Sequence, residues 1–125
     1  MIRVLLVDDR SVVRRGLLMR LALEPDLRVV GAAKSSEEAV MLARTTAPDV
    51  VVMDIEMPGV DGMQAIRQMR DLTPNGAVIV LTMHGGQAIR AQALEAGARA
   101  FVEKQGGAEP LLREIRRLAA PAAGP

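Results

Sequence analysis

The sequence predicts an α/β protein in which a parallel sheet of five strands lies between two layers of helices. Two features of the 125 residues support this fold class. Most of five short apolar runs are rich in Val, Ile and Leu and lack the polar and apolar alternation of a half-exposed strand, a pattern typical of strands covered on both faces. The longer segments between them carry apolar residues three and four positions apart, the spacing of one helical face. Such alternation of strand and helix indicates a parallel sheet sandwiched between helices.

The predicted strands begin roughly 20–30 residues apart, which leaves room for one helix in each connection. Right-handed crossovers leave few topologies for such a sheet. The arrangement that they favour is a flavodoxin-like (βα)5 sandwich with strand order 2-1-3-4-5. The five predicted strands are Ile2–Val7, Arg28–Ala33, Val50–Asp54, Ala77–Thr82 and Ala100–Glu103.

Residues that begin or end helices agree with this division. Ser35 followed by Glu38 is a capping-box pattern, which predicts a helix beginning near Ser36. Pro48 ends that helix, because proline disfavours helical geometry in the residue before it. Gly97 stands where the C-terminus of another helix needs a left-handed residue.

Length and composition indicate one soluble domain. The chain is long enough for a single core, and 50% of its residues are apolar while 25% are charged. We assign residues 1–120 to the domain. Residues 121–125 consist only of Pro, Ala and Gly and are expected to form a linker or a frayed end. Because there is no signal pattern and no apolar run long enough to cross a bilayer, we expect a cytoplasmic location and no membrane contact.

Composition also excludes several kinds of site. Cysteine is absent, which excludes disulfides and thiolate zinc sites, and His84 is the only histidine, which excludes a multi-histidine metal site. The net charge is +1 and the basic residues are scattered, whereas a nucleic-acid surface shows a basic stripe. The only aromatic residue is Phe101, too few for base stacking. Arginines of the first and last helices, such as Arg20 and Arg116, are interpreted as solvated helix faces.

Polar residues follow or end four of the predicted strands. Asp8 and Asp9 follow strand 1, and Asp54 ends strand 3. Thr82 ends strand 4, and Lys104 follows strand 5. Ligands bind this fold at the carboxyl ends of the strands, near the point where the strand order reverses. Since strands 1, 3, 4 and 5 are neighbours in that order, the five side chains are predicted to converge at one edge of the sheet.

These residue types suit phosphoryl transfer to a carboxylate. A carboxylate can attack phosphorus, but the two reactants repel each other, and neighbouring carboxylates resist ionisation. Mg²⁺ removes both difficulties and prefers oxygen ligands, here Asp9, Asp54 and a backbone carbonyl, with Asp8 acting mainly through water. Lys104 supplies a positive charge for a phosphoryl oxygen, and Thr82 supplies a hydroxyl donor. The reaction needs little beyond such positioning and charge neutralisation.

The same residues, in this order, resemble the receiver domain of bacterial two-component response regulators. The segments that carry the resemblance are VLLVDDR, DVVVMDIEMPGVDG, VIVLT and GARAFVEK, and it spans the chain from about Ile2 to Ala120. Two longer segments are most similar to the receivers of LuxR-type helix-turn-helix transcriptional regulators: DDRSVVRRGLLMRL and GARAFVEKQGGAEPLLREIRRL.

The resemblance implies roles for the acidic residues. Asp54 would be the phosphoacceptor, receiving its phosphoryl group from a histidine kinase, and Lys104 would assist the transfer. The Mg²⁺ ligands would be Asp8 and Asp9, Asp54, and the backbone carbonyl of Glu56. The product would be a phosphoprotein carrying an aspartyl phosphate.

The resemblance also implies a switch and its partners. Thr82 and Phe101 would be the switch pair, in which the threonine moves to the phosphoryl group and the ring turns inward behind it. This movement would reshape the face formed by the fourth helix, the fifth strand and the fifth helix. A homodimer could form through that face or through the fifth helix alone. Contact with DNA would require an output domain outside these residues, and the expected output is transcription.

Three further positions follow from the same resemblance. Glu56 and His84, two positions beyond Asp54 and Thr82, are expected to set the phosphate lifetime by controlling the attacking water. The family commonly has a proline after the lysine, often with a cis peptide bond. Here Gln105 follows instead, and the sequence leaves the isomer of this bond open.

Structural interpretations of the same residues stay open at this point. Asp8 or Asp9 could simply cap the first helix. Thr82 could be an ordinary β-branched strand residue. Lys104 could be a solvated surface residue and Phe101 a core aromatic.

Three other functions compete with a phosphorylated receiver. An aspartate-nucleophile phosphohydrolase would carry Asp-x-Asp early and the acid pair late, whereas this chain has the reverse order and Asp54-Ile55-Glu56 lacks the second Asp. A flavin-binding electron carrier would need a hydroxyl-rich phosphate loop and aromatics beside the ring. A receiver-like module that never takes phosphate would need a hidden defect. We therefore expect no enzyme activity beyond the chain's own phosphorylation and dephosphorylation.

Overall fold

The computed structural model describes residues 1–119 and has the predicted order of elements. The predicted tail at 121–125 lies outside these residues. The helices run from 10 to 12 residues, and within 1–119 none is long and apolar enough to span a membrane. The strands are β1 (Ile2–Val7), β2 (Leu27–Ala33), β3 (Val50–Met53), β4 (Ala77–Thr82) and β5 (Ala100–Glu103); the helices are α1 (Ser11–Leu21), α2 (Ser36–Thr46), α3 (Gly62–Leu72), α4 (Gln87–Ala96) and α5 (Ala108–Ala119), and a 3₁₀ turn spans Lys104–Gly106.

All five strands pair in parallel in the order β2-β1-β3-β4-β5, which confirms the predicted flavodoxin-like topology. The strand order reverses at β1: β2 lies on one side of this strand, and β3, β4 and β5 follow on the other side. The third strand ends one residue earlier than predicted, at Met53, so Asp54 is the first residue of the following loop. The backbone N–H of Asp54 still donates to the carbonyl of Val7 at 2.9 Å, which joins the ends of β3 and β1.

The core lies on both faces of the sheet. Successive strand residues point to opposite faces, and here both faces are covered. In β1, Leu5 and Val7 pack with α2, α3 and α4, whereas Val4 and Leu6 pack with α1 and α5. These four side chains are at most 2% exposed. Burial on both faces explains why the central strands β3 and β4 are almost entirely apolar.

The helix boundaries agree with the capping signals. The hydroxyl of Ser35 accepts a hydrogen bond from the N–H of Glu38 at 3.2 Å, and α2 begins at Ser36 as predicted. Gly97 ends α4 with φ 120°, a conformation that glycine adopts without steric cost. Both predictions are confirmed.

Candidate functional site

Three carboxylates meet at the carboxyl edge of the sheet. Because β1 and β3 are neighbours, Asp8 and Asp9 at the end of one lie beside Asp54 at the end of the other. One oxygen from each of the three carboxylates lies within 4.8 Å of the others. Asp8 and Asp54 are each only 2% exposed, and Asp9 is partly buried. We call these three residues the acidic cluster.

Lys104 pairs with two members of the acidic cluster. Its Nζ donates to Oδ2 of Asp8 at 2.9 Å and to Oδ2 of Asp54 at 3.1 Å, and its side chain is 9% exposed. The interpretation of Lys104 as a solvated surface lysine is therefore wrong. Within the described residues no peptide bond is cis, so the Lys104–Gln105 bond is trans. The ammonium group offsets part of the repulsion among the three carboxylates.

Backbone donors orient the other carboxylate oxygens. Oδ1 of Asp54 accepts from the N–H of Glu56 at 2.7 Å, and Oδ1 of Asp8 accepts from the N–H of Arg10 at 2.9 Å. The N-cap of α1 is Arg10, and this helix has no side-chain capping bond. The alternative in which Asp8 or Asp9 caps the first helix is therefore wrong.

The acidic cluster fits a small divalent cation. Its donors are all oxygens, which suits Mg²⁺, an ion that takes few protein ligands and keeps several waters. Asp9 makes no bond with Lys104, so its carboxylate remains available as a ligand, as does part of Asp54. Three carboxylates with one lysine give the site a negative formal charge, which a bound cation would compensate.

Thr82 is fully buried, and its hydroxyl bonds to a residue outside the acidic cluster. Its hydroxyl donates to Oε1 of Glu56. The same Oε1 accepts from the N–H groups of Met83 and His84, both at 3.1 Å. Thr82 thus lies at the predicted edge of the sheet, while its hydroxyl is bonded to Glu56 and not to the acidic cluster.

Glu56 and His84 contact each other directly. Nδ1 of His84 lies 2.9 Å from Oε2 of Glu56. The hydroxyl of Thr82 and the ring of His84 lower the pKa of Glu56 to about 2, so this side chain is a carboxylate at neutral pH. We call Glu56, Thr82, Met83 and His84 the Glu56 cluster.

Phe101 lies on β5, where it pairs with Val80 of β4. Its side chain is partly buried and packs against the core on the α2, α3 and α4 face. The core interpretation of Phe101 is compatible with this contact, and its switch role stays a prediction.

The model of the response regulator receiver domain family matches residues 4–116. The chain belongs to this family. As a response regulator receiver domain, it is a component of two-component signalling. The response regulator GacA of Pseudomonas aeruginosa is 38% identical over 118 residues, which cover 94% of this chain and 55% of GacA. The receiver domain therefore spans about half the length of the curated relatives that it matches.

Two solved structures illustrate the similarity. A LuxR-family two-component response regulator from Aurantimonas is 37% identical, with a TM-score of 0.87 over 94% of this chain and 84% of that one. A response regulator from Burkholderia pseudomallei, with a phosphorylated aspartic acid, calcium ion and citrate, is 26% identical, with a TM-score of 0.77 over 95% of this chain and 69% of that one.

Sequence reasoning missed two features of this receiver domain. It named Glu56 and His84, but nothing in their spacing indicated that they bond to each other and to Thr82. It also gave Gln105 no contact, whereas Nε2 of Gln105 donates to the backbone carbonyl of Met83. The available signal was an amide side chain at a position where the family commonly has proline.

Proposed function

We propose that this receiver domain accepts a phosphoryl group on Asp54 from a histidine kinase, with Mg²⁺ bound, and thereby controls an output. The observation that carries the proposal is the convergence of Asp8, Asp9 and Asp54 with Lys104 at one edge of the sheet. Buried carboxylates held by a lysine and by backbone N–H groups are suited to phosphoryl transfer, which depends on positioning and charge neutralisation.

The transfer requires an available oxygen on Asp54. As this oxygen forms a bond to phosphorus, the bond from phosphorus to the kinase histidine breaks, and the histidine nitrogen keeps the electron pair. Lys104 Nζ is 3.1 Å from Oδ2 of Asp54, so it can bind a phosphoryl oxygen on that side. Bound Mg²⁺ would be held by Asp9, Asp54 and the carbonyl of Glu56, with Asp8 acting mainly through water, and would neutralise charge on the phosphoryl group.

The relatives support the proposed partners and output. GacA and the Aurantimonas protein are response regulators, the latter of the LuxR family, and the Burkholderia protein carries a phosphorylated aspartic acid. We extend this to phosphorylation by a kinase here, and to a transcriptional output domain outside these residues. The face of α4, β5 and α5, or α5 alone, would serve a homodimer. The domain itself would catalyse only its own phosphorylation and dephosphorylation.

The test is incubation with acetyl phosphate and Mg²⁺, followed by intact mass measurement. We expect a gain of one phosphoryl group that is lost in Asp54→Asn and on removal of Mg²⁺ with EDTA. Asp71→Asn is the matched control, because Asp71 is an exposed carboxylate on α3 and its loss should leave the gain unchanged. A chain that stays unmodified, or an Asp54→Asn variant that still gains mass, would contradict the proposal.

A further inference from the structure

One side chain joins two loops beside the acidic cluster. Glu56 belongs to the loop after β3. The groups that bond to its carboxylate belong to Thr82, the last residue of β4, and to the two residues that follow it. Oε1 accepts from the hydroxyl of Thr82 and from the N–H groups of Met83 and His84, while Oε2 contacts the ring of His84. A single carboxylate therefore fixes both the hydroxyl of Thr82 and the backbone that follows it.

The hydroxyl of Thr82 can serve only one acceptor at a time. A threonine hydroxyl carries one proton, so it donates one hydrogen bond. Donation to Glu56 therefore excludes donation to a phosphoryl oxygen on Asp54. Hydrogen bonds to a charged acceptor are about twice as strong as neutral ones, so Glu56 is an effective competitor.

A second side chain holds the same segment from the opposite side. Gln105, in the 3₁₀ turn after β5, donates from Nε2 to the carbonyl of Met83. Met83 is thus held through its N–H by Glu56 and through its carbonyl by Gln105. The segment after β4 is fixed between the loops that follow β3 and β5.

We propose that Glu56 is a positioning residue that holds Thr82 in the unphosphorylated arrangement, so that the Thr82–Glu56 bond must break before Thr82 can serve a phosphoryl group on Asp54. This inference rests on the proposed function. It concerns the unphosphorylated protein, whereas control of the attacking water by Glu56 would concern loss of the phosphoryl group. Its consequence is that Glu56 weakens the response to phosphorylation while it stabilises the resting arrangement.

The probe for this role is beryllofluoride, a phosphoryl mimic, titrated in the presence of Mg²⁺ and followed by NMR. Glu56→Asp keeps the charge but is one methylene shorter, so it cannot span the two loops. We expect its half-saturating beryllofluoride concentration to fall about tenfold, the effect of removing one hydrogen bond to a charged group. Glu56→Gln, the comparison variant, keeps the length and one acceptor oxygen but loses the charge, so its half-saturating concentration should fall by no more than about threefold, less than in Glu56→Asp.

The two variants separate positioning from charge repulsion. If Glu56 acted only by repelling the anion, Glu56→Gln would tighten binding and Glu56→Asp would behave like wild type, which would overturn the proposal. Thr82→Val tests the route, because it removes the hydroxyl while keeping the shape. In that background Glu56→Asp should change half-saturation less than about twofold, and a persisting tenfold effect would show that Glu56 does not act through Thr82.

Amide hydrogen exchange gives a local readout in the folded variants. The amides of Met83 and His84 should exchange at least about tenfold faster in Glu56→Asp than in wild type, and equal rates would count against the proposal. If wild type binds beryllofluoride and Glu56→Asp has the same half-saturating concentration, this inference is wrong and the proposed function is unaffected. Wild type that neither binds beryllofluoride nor gains mass from acetyl phosphate would overturn the proposed function and this inference together.

Discussion

The helices on either side of β5 are attached to the sheet in different ways. Helix α5 buries Leu111, Leu112 and Ile115, each at most 1% exposed. Helix α4 buries only Ala93 and Ala96 among its described residues. A buried Leu or Ile contributes roughly 1.5–3 kcal/mol, whereas a methyl-sized group contributes about 0.8 kcal/mol. The sheet therefore holds α5 firmly and α4 weakly, although both flank the same edge strand.

Ion pairs reinforce the contrast. Arg116 of α5 pairs with Asp26 at 2.9 Å and with Glu24 at 2.6 Å, which joins α5 to the turn between α1 and β2. Over the part of the chain that the structure describes, no ion pair reaches α4. The N-cap of α4 is Gly86, which offers no side-chain capping bond. Differences of this kind determine which element of a domain can shift while the rest stays in place.

The largest effect is expected from removing a large buried side chain of α5, on which the difference between α5 and α4 depends. Ile115→Ala should destabilise the domain by about 2–5 kcal/mol, because it leaves a cavity under α5. Urea unfolding followed by circular dichroism measures the change. The control is Leu94→Ala on α4, where the side chain is 43% exposed and the expected loss is under about 0.5 kcal/mol. Equal losses at the two positions would remove the distinction between the helices.

Amide hydrogen exchange sharpens the comparison without any mutation. We expect the amides of α4 to exchange at least about tenfold faster than those of α5, because few apolar contacts oppose local opening of α4. NMR-detected exchange at neutral pH resolves the two helices residue by residue. Uniform protection across both helices would mean that α4 opens only when the whole domain unfolds.

The smallest expected effect concerns the ion pairs of α5. Hydrogen bonds from Arg116 lower the pKa of Glu24 and of Asp26 below their ordinary values of 4.5 and 3.8. These pairs therefore stabilise the fold above the ordinary values, and the stabilisation is lost as the pH falls through the lowered ones. Arg116→Gln should be less stable than wild type at pH 7, with the gap closing as the solution is acidified.

The measurement for the ion pairs is thermal unfolding across pH 7 to pH 2. Arg113→Gln supplies the control, because Arg113 is exposed on the same helix and makes none of these pairs. A gap for Arg116→Gln that is independent of pH would indicate that its side chain acts through packing and not through the charges of Glu24 and Asp26.

Much of this architecture is predictable because burial leaves a direct record in the sequence. Residues buried in strands are mostly apolar, and runs of such residues placed every strand to within one residue. The convergence of Asp8 with Asp54 followed from strand order, since neighbouring parallel strands end at one edge. Local periodicity and known topology were sufficient for both features.

Contacts between loops were not predictable in the same way. The bond between Thr82 and Glu56 depends on the direction of a side chain at the end of β4 and of a loop side chain 26 positions earlier. The interpretation of Arg20 and Arg116 as solvated helix faces likewise missed that both pair with Glu24, in the case of Arg116 across 92 positions. Sequence periodicity does not predict contacts between residues so far apart in the chain, because the tertiary fold and not any one helix or strand brings them together.

The backbone of Asp54 is anchored to β1 through its N–H, and one of its carboxylate oxygens is anchored to the N–H of Glu56. In its proposed role as phosphoacceptor, a residue held in this way at its backbone and its side chain would retreat little from added bulk and charge. The adjustment must then be made by its surroundings, so the immobility of this one residue is what would turn a local chemical event into movement elsewhere.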